Sequence, residues 1–265
     1  MRNRYPSDLT DEEWAVLQPM ADPKGGRPGP NPRKYERRRI VDALMYLART
    51  GCPWRSLPKD FPKWEAVYFY FRTWRDWGVF GKMNAAMVEI MRKRLGRDHP
   101  PTVALVDSQT VKTTEEAVES TRGYDGGKKI KGRKRHVLTD ALGLLLCAIV
   151  TVASVQDRDG GAALLDQAAQ QHPTVSKTLA DSAYNGSPVA EAMRRTGIDL
   201  EVVRRPKGSK GFVVQALRWK VERFFGWLNR WRRLSKDYER LPRSSVAMVQ
   251  IACIGRMARW LGRNA

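Results

Sequence analysis

Thr102-Val103-Ala104-Leu105-Val106-Asp107-Ser108 is a short apolar run, rich in β-branched residues, that stops at a carboxylate. A buried strand reads this way. An aspartate at the end of such a strand is costly unless it is paired, hydrogen-bonded or metal-bound. Downstream, residues 136–139 and 142–152 read as two strands about an Asp140-Ala141 turn, the second a continuous buried run. Residues 159–171 predict a helix. A short strand at 178–180 ends in Asp181, and a helix at 188–196, a strand at 199–203 and a helix at 217–231 follow. The order β-β-β-α-β-α-β-α predicts an α/β domain whose mixed sheet carries helices on both faces. In such sheets, carboxylates at the C-terminal ends of strands project into a shared crevice. Asp107 and Asp181 both take that position. One strand-end aspartate alone is more often a turn residue or a cap; two of them, with Glu222 on a nearby basic helix, point to a site.

The last helix makes Glu222 specific. Val221, Phe224, Phe225 and Leu228 fall on one face, while Arg218, Glu222 and Gly226 follow one another at four-residue steps on the adjacent stripe. Gly226 gives up roughly 1 kcal/mol of helix propensity against alanine, an expense consistent with leaving room beside a carboxylate. The plainer reading is an ordinary Arg218–Glu222 helix pair. Asp140, Asp157 and Asp159 are competing carboxylates that read as turn or cap residues.

Upstream the period is helical. Thr10 with Glu13 forms a capping box that starts a helix reaching Met20. Residues 22–33 are a Pro/Gly-rich linker. Ile40, Val41, Leu44 and Leu47 set an amphipathic helix over 34–50 with Gly51 as its cap. Residues 63–77 form an aromatic-rich helix and 82–95 another, before a linker at 96–101. Two helices joined by a tight turn, surrounded by Arg37, Arg38, Arg39, Arg55, Lys59, Lys63, Arg72 and Arg75, suit a helix-turn-helix DNA reader. The aromatics at helical spacing read mainly as core.

The 265 residues carry 48 Lys and Arg against 28 Asp and Glu, a net charge of +20 that calls for a polyanionic partner. The excess is uneven. Residues 1–101 have a net charge of +8, residues 102–200 of zero and residues 201–265 of +12. A neutral segment holding the candidate carboxylates is thus flanked by two cationic ones. The longest apolar runs are too short to cross a membrane, so the polyanion is nucleic acid and no membrane partner is expected. Cys52, Cys147 and Cys253 are too dispersed for a zinc knuckle or a disulfide framework and suit a reducing cytoplasm.

Four ordered motifs give the chain a family resemblance. They are the runs from Val106 to Lys112, from Lys131 to His136, from Ala180 to Gly186 and from Val221 to Arg230. The stretches Leu9–Trp14 and Gly51–Pro58 add to them, so the likeness covers nearly the whole chain. Together they resemble the transposases of bacterial insertion sequences, nearest to the "five" family, whose catalytic domain is an RNase H-like DDE domain. The resemblance implies an all-α N-terminal DNA-binding domain over 1–98 and an RNase H-like catalytic domain over 99–265. It assigns the triad to Asp107, Asp181 and Glu222, with Arg218 as a supporting residue. Gln215 and Asn229 stand where the family's signature has Tyr and Lys.

A set of three carboxylates favours hard cations, so two Mg²⁺ ions are expected, with Mn²⁺ able to substitute. The implied activity is cleavage of the element's ends and joining of the 3′-hydroxyl to target DNA. The expected partner is double-stranded DNA held by a homodimer, in the bacterial cytoplasm at the nucleoid. Lys128, Lys129, Lys131, Arg133, Lys134 and Arg135 place six bases in eight positions among glycines, which reads as a flexible loop folding onto phosphates. Arg230, Arg232 and Arg233 interleave with Trp227 and Trp231 and read the same way. The rival readings are a catalytically inactive, transposase-derived DNA-binding protein, a nuclease without strand transfer, and an RNA-binding protein.

Overall fold

The computed structural model describes residues 5–21, 35–203 and 219–264. The linker expected at 22–33 and the side chains of Gln215 and Arg218 lie outside the described residues. The chain divides into two compact units. One comprises residues 1–96, 230–234 and 247–265, the other residues 97–229 and 235–246. Against the expected division at 98/99, the C-terminal stretch 247–265 joins the first unit.

The first unit is helical: α1 (Asp11–Ala21), α2 (Arg37–Thr50), α3 (Trp64–Asp76) and α4 (Val79–Arg94). The capping box forms as read, with the Glu13 N–H donating to Thr10 Oγ1 (3.2 Å) and the Thr10 N–H to Glu13 Oε2 (3.3 Å). Gly51 closes α2 in the left-handed conformation (φ 74°), its N–H donating to the Leu47 carbonyl. The tight turn falls elsewhere than expected. Residues 51–63, including a 3-10 turn at Trp54–Ser56, separate α2 from α3, whereas only Trp77 and a left-handed Gly78 separate α3 from α4. Val67, Phe71 and Trp74 of α3 are core, but Phe69 (64%) and Trp77 (59%) are exposed.

Asp42 is buried in α2, its carboxylate accepting from the Leu9 N–H (2.9 Å) and from Arg39 (3.2 Å). Burial raises its pKa from the usual carboxylate range to about 6, with Asp8 adding to the rise and the Leu9 N–H and Arg39 opposing it. A folded pKa above the unfolded one stabilises at low pH, and this contribution is lost as pH rises through the folded value. Stability of this unit is therefore expected to fall between about pH 4 and 7, by up to about 3 kcal/mol from this group. Amide exchange along α2 across that range should show the decline, and Asp42→Asn should flatten it.

The second unit is built on β1 (Val103–Lys112), β2 (Gly123–Asp125), β3 (Ile130–Asp140) and β4 (Leu145–Val152), followed by α5 (Asp157–Gln171). Next come β5 (Lys177–Ala180), α6 (Ser187–Thr196), β6 (Asp199–Val202), α7 (Trp219–Leu228) and the start of α8 (Pro242–Arg263). The sheet runs β4-β3-β1-β5-β6, with β2 beside the outer end of β3. β3 is antiparallel to both β1 and β4, while β5 and β6 run parallel to β1. This is the RNase H-like order. Both faces carry helices. Successive residues of β1 point to opposite faces: Ser108 bonds Asp157 of α5, and Gln109 bonds Asn229 just beyond α7.

Two expectations are corrected by the register. β1 continues past Asp107 to Lys112 because β3 pairs with it over that whole length, while its parallel pairing with β5 ends at Leu105↔Leu179. The basic segment expected as a loop is strand from Ile130 onward, since Arg133, Lys134 and Arg135 are laddered between β1 and β4.

Candidate active site

The parallel β1–β5 pairing ends at Leu105↔Leu179. Asp107 lies two residues further along β1 and Asp181 is the first residue beyond β5, so both follow the end of that pairing, and both carboxylates add to burial in raising the pKa of the Tyr184 phenol. Each is half-buried and locally anchored. Asp107 Oδ1 accepts from the Ser108 N–H (2.7 Å), and Asp181 Oδ1 caps the 3-10 turn Ser182–Tyr184 by accepting from the Ala183 N–H (2.9 Å).

Glu222 sits on α7 as the pattern indicated, with Val221, Phe224, Phe225 and Leu228 buried and Glu222 exposed. Asn229 follows it by two helical turns and so shares its face. Asn229 Oδ1 accepts from Gln109 Nε2 (3.2 Å), and Gln109 lies two residues along β1 from Asp107 on the same side. α7 is thus aligned along β1, but among the described residues no group of three His, Cys, Asp or Glu is close enough to hold a metal ion. Nor does a side chain crowd Gly226: a Cβ there would meet nothing within 4 Å among the described residues.

The two aspartates supply only oxygen, a donor set that fits a hard divalent cation. The His136 ring packs against Gly160 inside the unit with Nε2 3.0 Å from Thr151 Oγ1, and burial lowers its pKa to about 4.

The basic residues divide by burial. Lys128, Lys129 and Lys131 are exposed at the β2–β3 turn, as are Arg55, Lys63, Arg72, Arg230 and Arg232. Arg37 and Arg38 are half-buried. The Arg37 guanidinium lies 4.4 Å from the Tyr70 ring centroid, and Arg38 pairs with Asp11 and donates to the Leu9 carbonyl. Arg133, Lys134, Arg135 and Arg233 are corrected: all four are buried, so none presents its charge to a phosphate. Arg133 pairs with Asp237, Lys134 with Asp157 and Asp125, and Arg135 donates to Gln109 Oε1 and the Lys236 carbonyl. Arg233 donates to the Cys52 carbonyl. Strand alternation sent Arg133, Lys134 and Arg135 to two covered faces, where each needed a partner, while Arg233 lies on a 3-10 turn at Arg232–Leu234.

Asp157 is also corrected from a turn or cap residue. Its Oδ1 accepts from Ser108 Oγ (2.7 Å) and pairs with Lys134 Nζ (3.0 Å), beside Asp107. Lys134, followed by Asp125 and Thr110 Oγ1 (2.6 Å), completes a buried polar chain. These contacts hold the pKa of Asp157 below the usual range against burial, which pushes it up. The sequence held one signal of this packing, the Gly160-Gly161 pair inside α5. A Cβ on the first would strike the His136 ring, and on the second the Tyr184 ring.

With fold and carboxylate pair in place, the comparison with known proteins is direct. Residues 98–254 match the family described as the transposase DDE domain, and the chain belongs to that family. Within the helical unit, residues 9–84 match a second family, described as "Putative transposase of IS4/5 family".

Among curated proteins, the chain is 32% identical over 129 residues to the "Putative transposase for insertion sequence element IS402" of Burkholderia cepacia, covering 46% of this chain and 61% of that protein. It is 27% identical over 118 residues to the uncharacterized protein y4sN of Sinorhizobium fredii, covering 44% of this chain and 86% of that protein. The chain thus spans less than two thirds of the IS402 relative's length. Among solved structures, the Mos1 transposase paired-end complex with left transposon end aligns over 65% of this chain and 60% of that one, at 13% identity and a TM-score of 0.25. A likeness that slight adds nothing to the fold assignment.

Proposed function

We propose that the protein is a DNA transposase that binds the terminal inverted repeats of an insertion sequence, cleaves the ends and joins the 3′-hydroxyl to target DNA. What supports this reading is the position of Asp107 and Asp181 just past the end of the parallel β1–β5 pairing, in a chain of the DDE family. Asp107, Asp181 and Glu222 are the residues that would hold divalent cations, two Mg²⁺ ions with Mn²⁺ able to substitute. Arg218 is proposed as a supporting residue beside Glu222. When bound, such ions activate an attacking oxygen and stabilise the leaving 3′-oxygen in an in-line displacement.

The chain's own part is to place DNA. Lys128, Lys129 and Lys131 at the β2–β3 turn, with Arg230 and Arg232, are exposed cations suited to phosphates. In the helical unit, proposed here as the DNA-binding domain, Arg55, Lys63 and Arg72 are exposed and Arg37 and Arg38 stand half-buried near them in sequence. Holding two ends at once favours a homodimer on DNA, in the bacterial cytoplasm at the nucleoid. Among the described residues no helix is long and apolar enough to cross a membrane.

The test is strand transfer with Mg²⁺ or Mn²⁺ on labelled duplexes bearing the inverted repeats that flank the gene. Joined products are expected, and Asp181→Ala or EDTA should abolish them. End-specific binding without cutting under either metal would overturn the catalytic reading in favour of a DNA-binding descendant of a transposase.

A further inference from the structure

Trp219, Arg223 and Trp227 follow one another at four-residue steps along α7. The Arg223 guanidinium lies against both rings, 4.3 Å from the Trp219 centroid and 4.4 Å from the Trp227 centroid. Residues four apart stack along one stripe of a helix, so the cation is held from both sides. Trp219 is 39% exposed, and Arg223 and Trp227 are half-buried, which places this ladder at the surface of the second unit. Arg223 stands next to Glu222 in the chain, yet its contacts among the described residues are the two rings, with no acid paired to it.

Gly226 borders both residues. It lies one helical turn beyond Glu222 and Arg223, and its direction from the helix axis falls between theirs. Glycine is a poorer helix former than alanine, and no neighbour within the described residues demands it here: Gly226 is exposed, and a Cβ would meet nothing within 4 Å. The glycines of α5 differ, since Gly160 and Gly161 make room for the His136 and Tyr184 rings. At Gly226 the chain instead leaves a bare strip of exposed helix backbone, bordered by a carboxylate and a clamped guanidinium.

We propose that this surface seats one DNA phosphate, which lies against α7 at Gly226 and takes a two-pronged hydrogen bond from Arg223, beside Glu222. This rests on the reading above that Glu222 belongs to the site that cuts DNA, and it makes the phosphate the one at or next to the cleaved bond. A guanidinium matches a phosphate through two parallel N–H donors. Its plane also stacks on aromatic faces, which an ammonium group does less well. Clamping that plane between two rings beforehand lowers the ordering cost of binding. The exposed lysines of the β2–β3 turn can steer any phosphate; a clamped guanidinium fixes the position of a single one.

The experiment measures binding of the full-length protein to a labelled duplex bearing the inverted repeat, with Ca²⁺ in place of Mg²⁺ to hold off cutting. Each phosphate around the end of the repeat is replaced in turn by an uncharged methylphosphonate. For the wild type, one of these replacements should weaken binding roughly tenfold, the worth of a charge-assisted hydrogen bond. Arg223→Gln should weaken binding to the unmodified duplex by a similar factor and lose nothing further at that phosphate, while keeping the wild-type losses at the others. Gly226→Ala should unfold at an equal or higher temperature and still bind the repeat less tightly. If Arg223→Gln loses as much as the wild type at every phosphate, Arg223 merely braces the tryptophans and the seat is overturned. Binding of Gly226→Ala at wild-type strength overturns it as well. Failure of the wild type to prefer the repeat over random duplex overturns the reading as a transposase, and the seat falls with it. Should Arg223→Gln not fold, Arg223→Lys keeps the charge and lacks the fork. Its loss at the same phosphate should be smaller than that of the wild type, and an equal loss there overturns the proposal.

Discussion

Replacing Arg133 by alanine is expected to cost about 3–5 kcal/mol, the penalty for leaving a buried charge without its partner. A guanidinium offers five N–H donors, and Arg133 uses five. They go to Asp237 Oδ2, the carbonyls of Glu239, Arg240 and Thr121, and the Thr121 hydroxyl. Arg133 and Asp237 are both fully buried. Truncation leaves Asp237 Oδ2 without its Arg133 donor in the interior, while Asp237 Oδ1 keeps the Glu239 N–H and the Arg240 carbonyl keeps the Val118 N–H. A domain's total stability is only about 5–15 kcal/mol, so much of the variant should be unfolded at physiological temperature. Urea unfolding followed by circular dichroism measures the loss. A double variant, Arg133→Met with Asp237→Leu, should recover a large part of it, since it removes both charges together. A loss below about 1 kcal/mol in Arg133→Ala would mean that Arg133 is not the clasp described here. The same logic separates the basic residues by assay: exposed Lys128, Lys129 and Lys131 should affect DNA affinity, whereas buried Arg133 should affect folding.

Gly132→Ala is the second large effect. Gly132 pairs with Lys112 of β1 and Gly123 of β2, so it is flanked by backbone on both sides. Its Cβ would fall on the Val111 carbonyl oxygen, with the Val111 carbonyl carbon at 2.9 Å and Lys112 Cα at 3.0 Å. No side-chain rotation relieves that clash, because the obstacles are main chain held in a ladder. Overpacking costs about 1–3 kcal/mol, occasionally more, and this case belongs at or above the upper end. Thermal unfolding should show a fall of roughly 6–12 °C for a cost of about 3 kcal/mol. Gly126→Ala is the control, since a Cβ there meets nothing within 4 Å.

The reading of the individual elements depended on how local their signals are. The Thr10–Glu13 capping box, the left-handed Gly51 cap and the Val221–Leu228 apolar face need only neighbours within two helical turns, and all three form as read. The strand order followed from the alternation of elements and from the family resemblance. Asp181 was legible as a strand-terminal carboxylate because an apolar run that stops at an acidic residue is visible without any partner strand; Asp107 was read the same way, but β1 continues past it to Lys112 because β3 pairs with it there. The basic run 128–135 was misleading for the converse reason. Charge and glycine content suggest an exposed loop, while burial depends on β1, β4 and residues 237–240, which lie far away in sequence.

The sequence by itself determined the helical first unit, the mixed sheet of the second, the two aspartates and the family, since periodicity, strand-end chemistry and motif order are all written along the chain. Tertiary structure alone decided that Asp157 pairs with Lys134, that Tyr184 lies in a slot cleared by Gly161, and that residues 247–265 pack with the first unit. It also decided which cations face water, because the buried ones are neutralised by groups tens of residues distant. Partners that far apart are chosen by packing, and packing is a property of the folded chain.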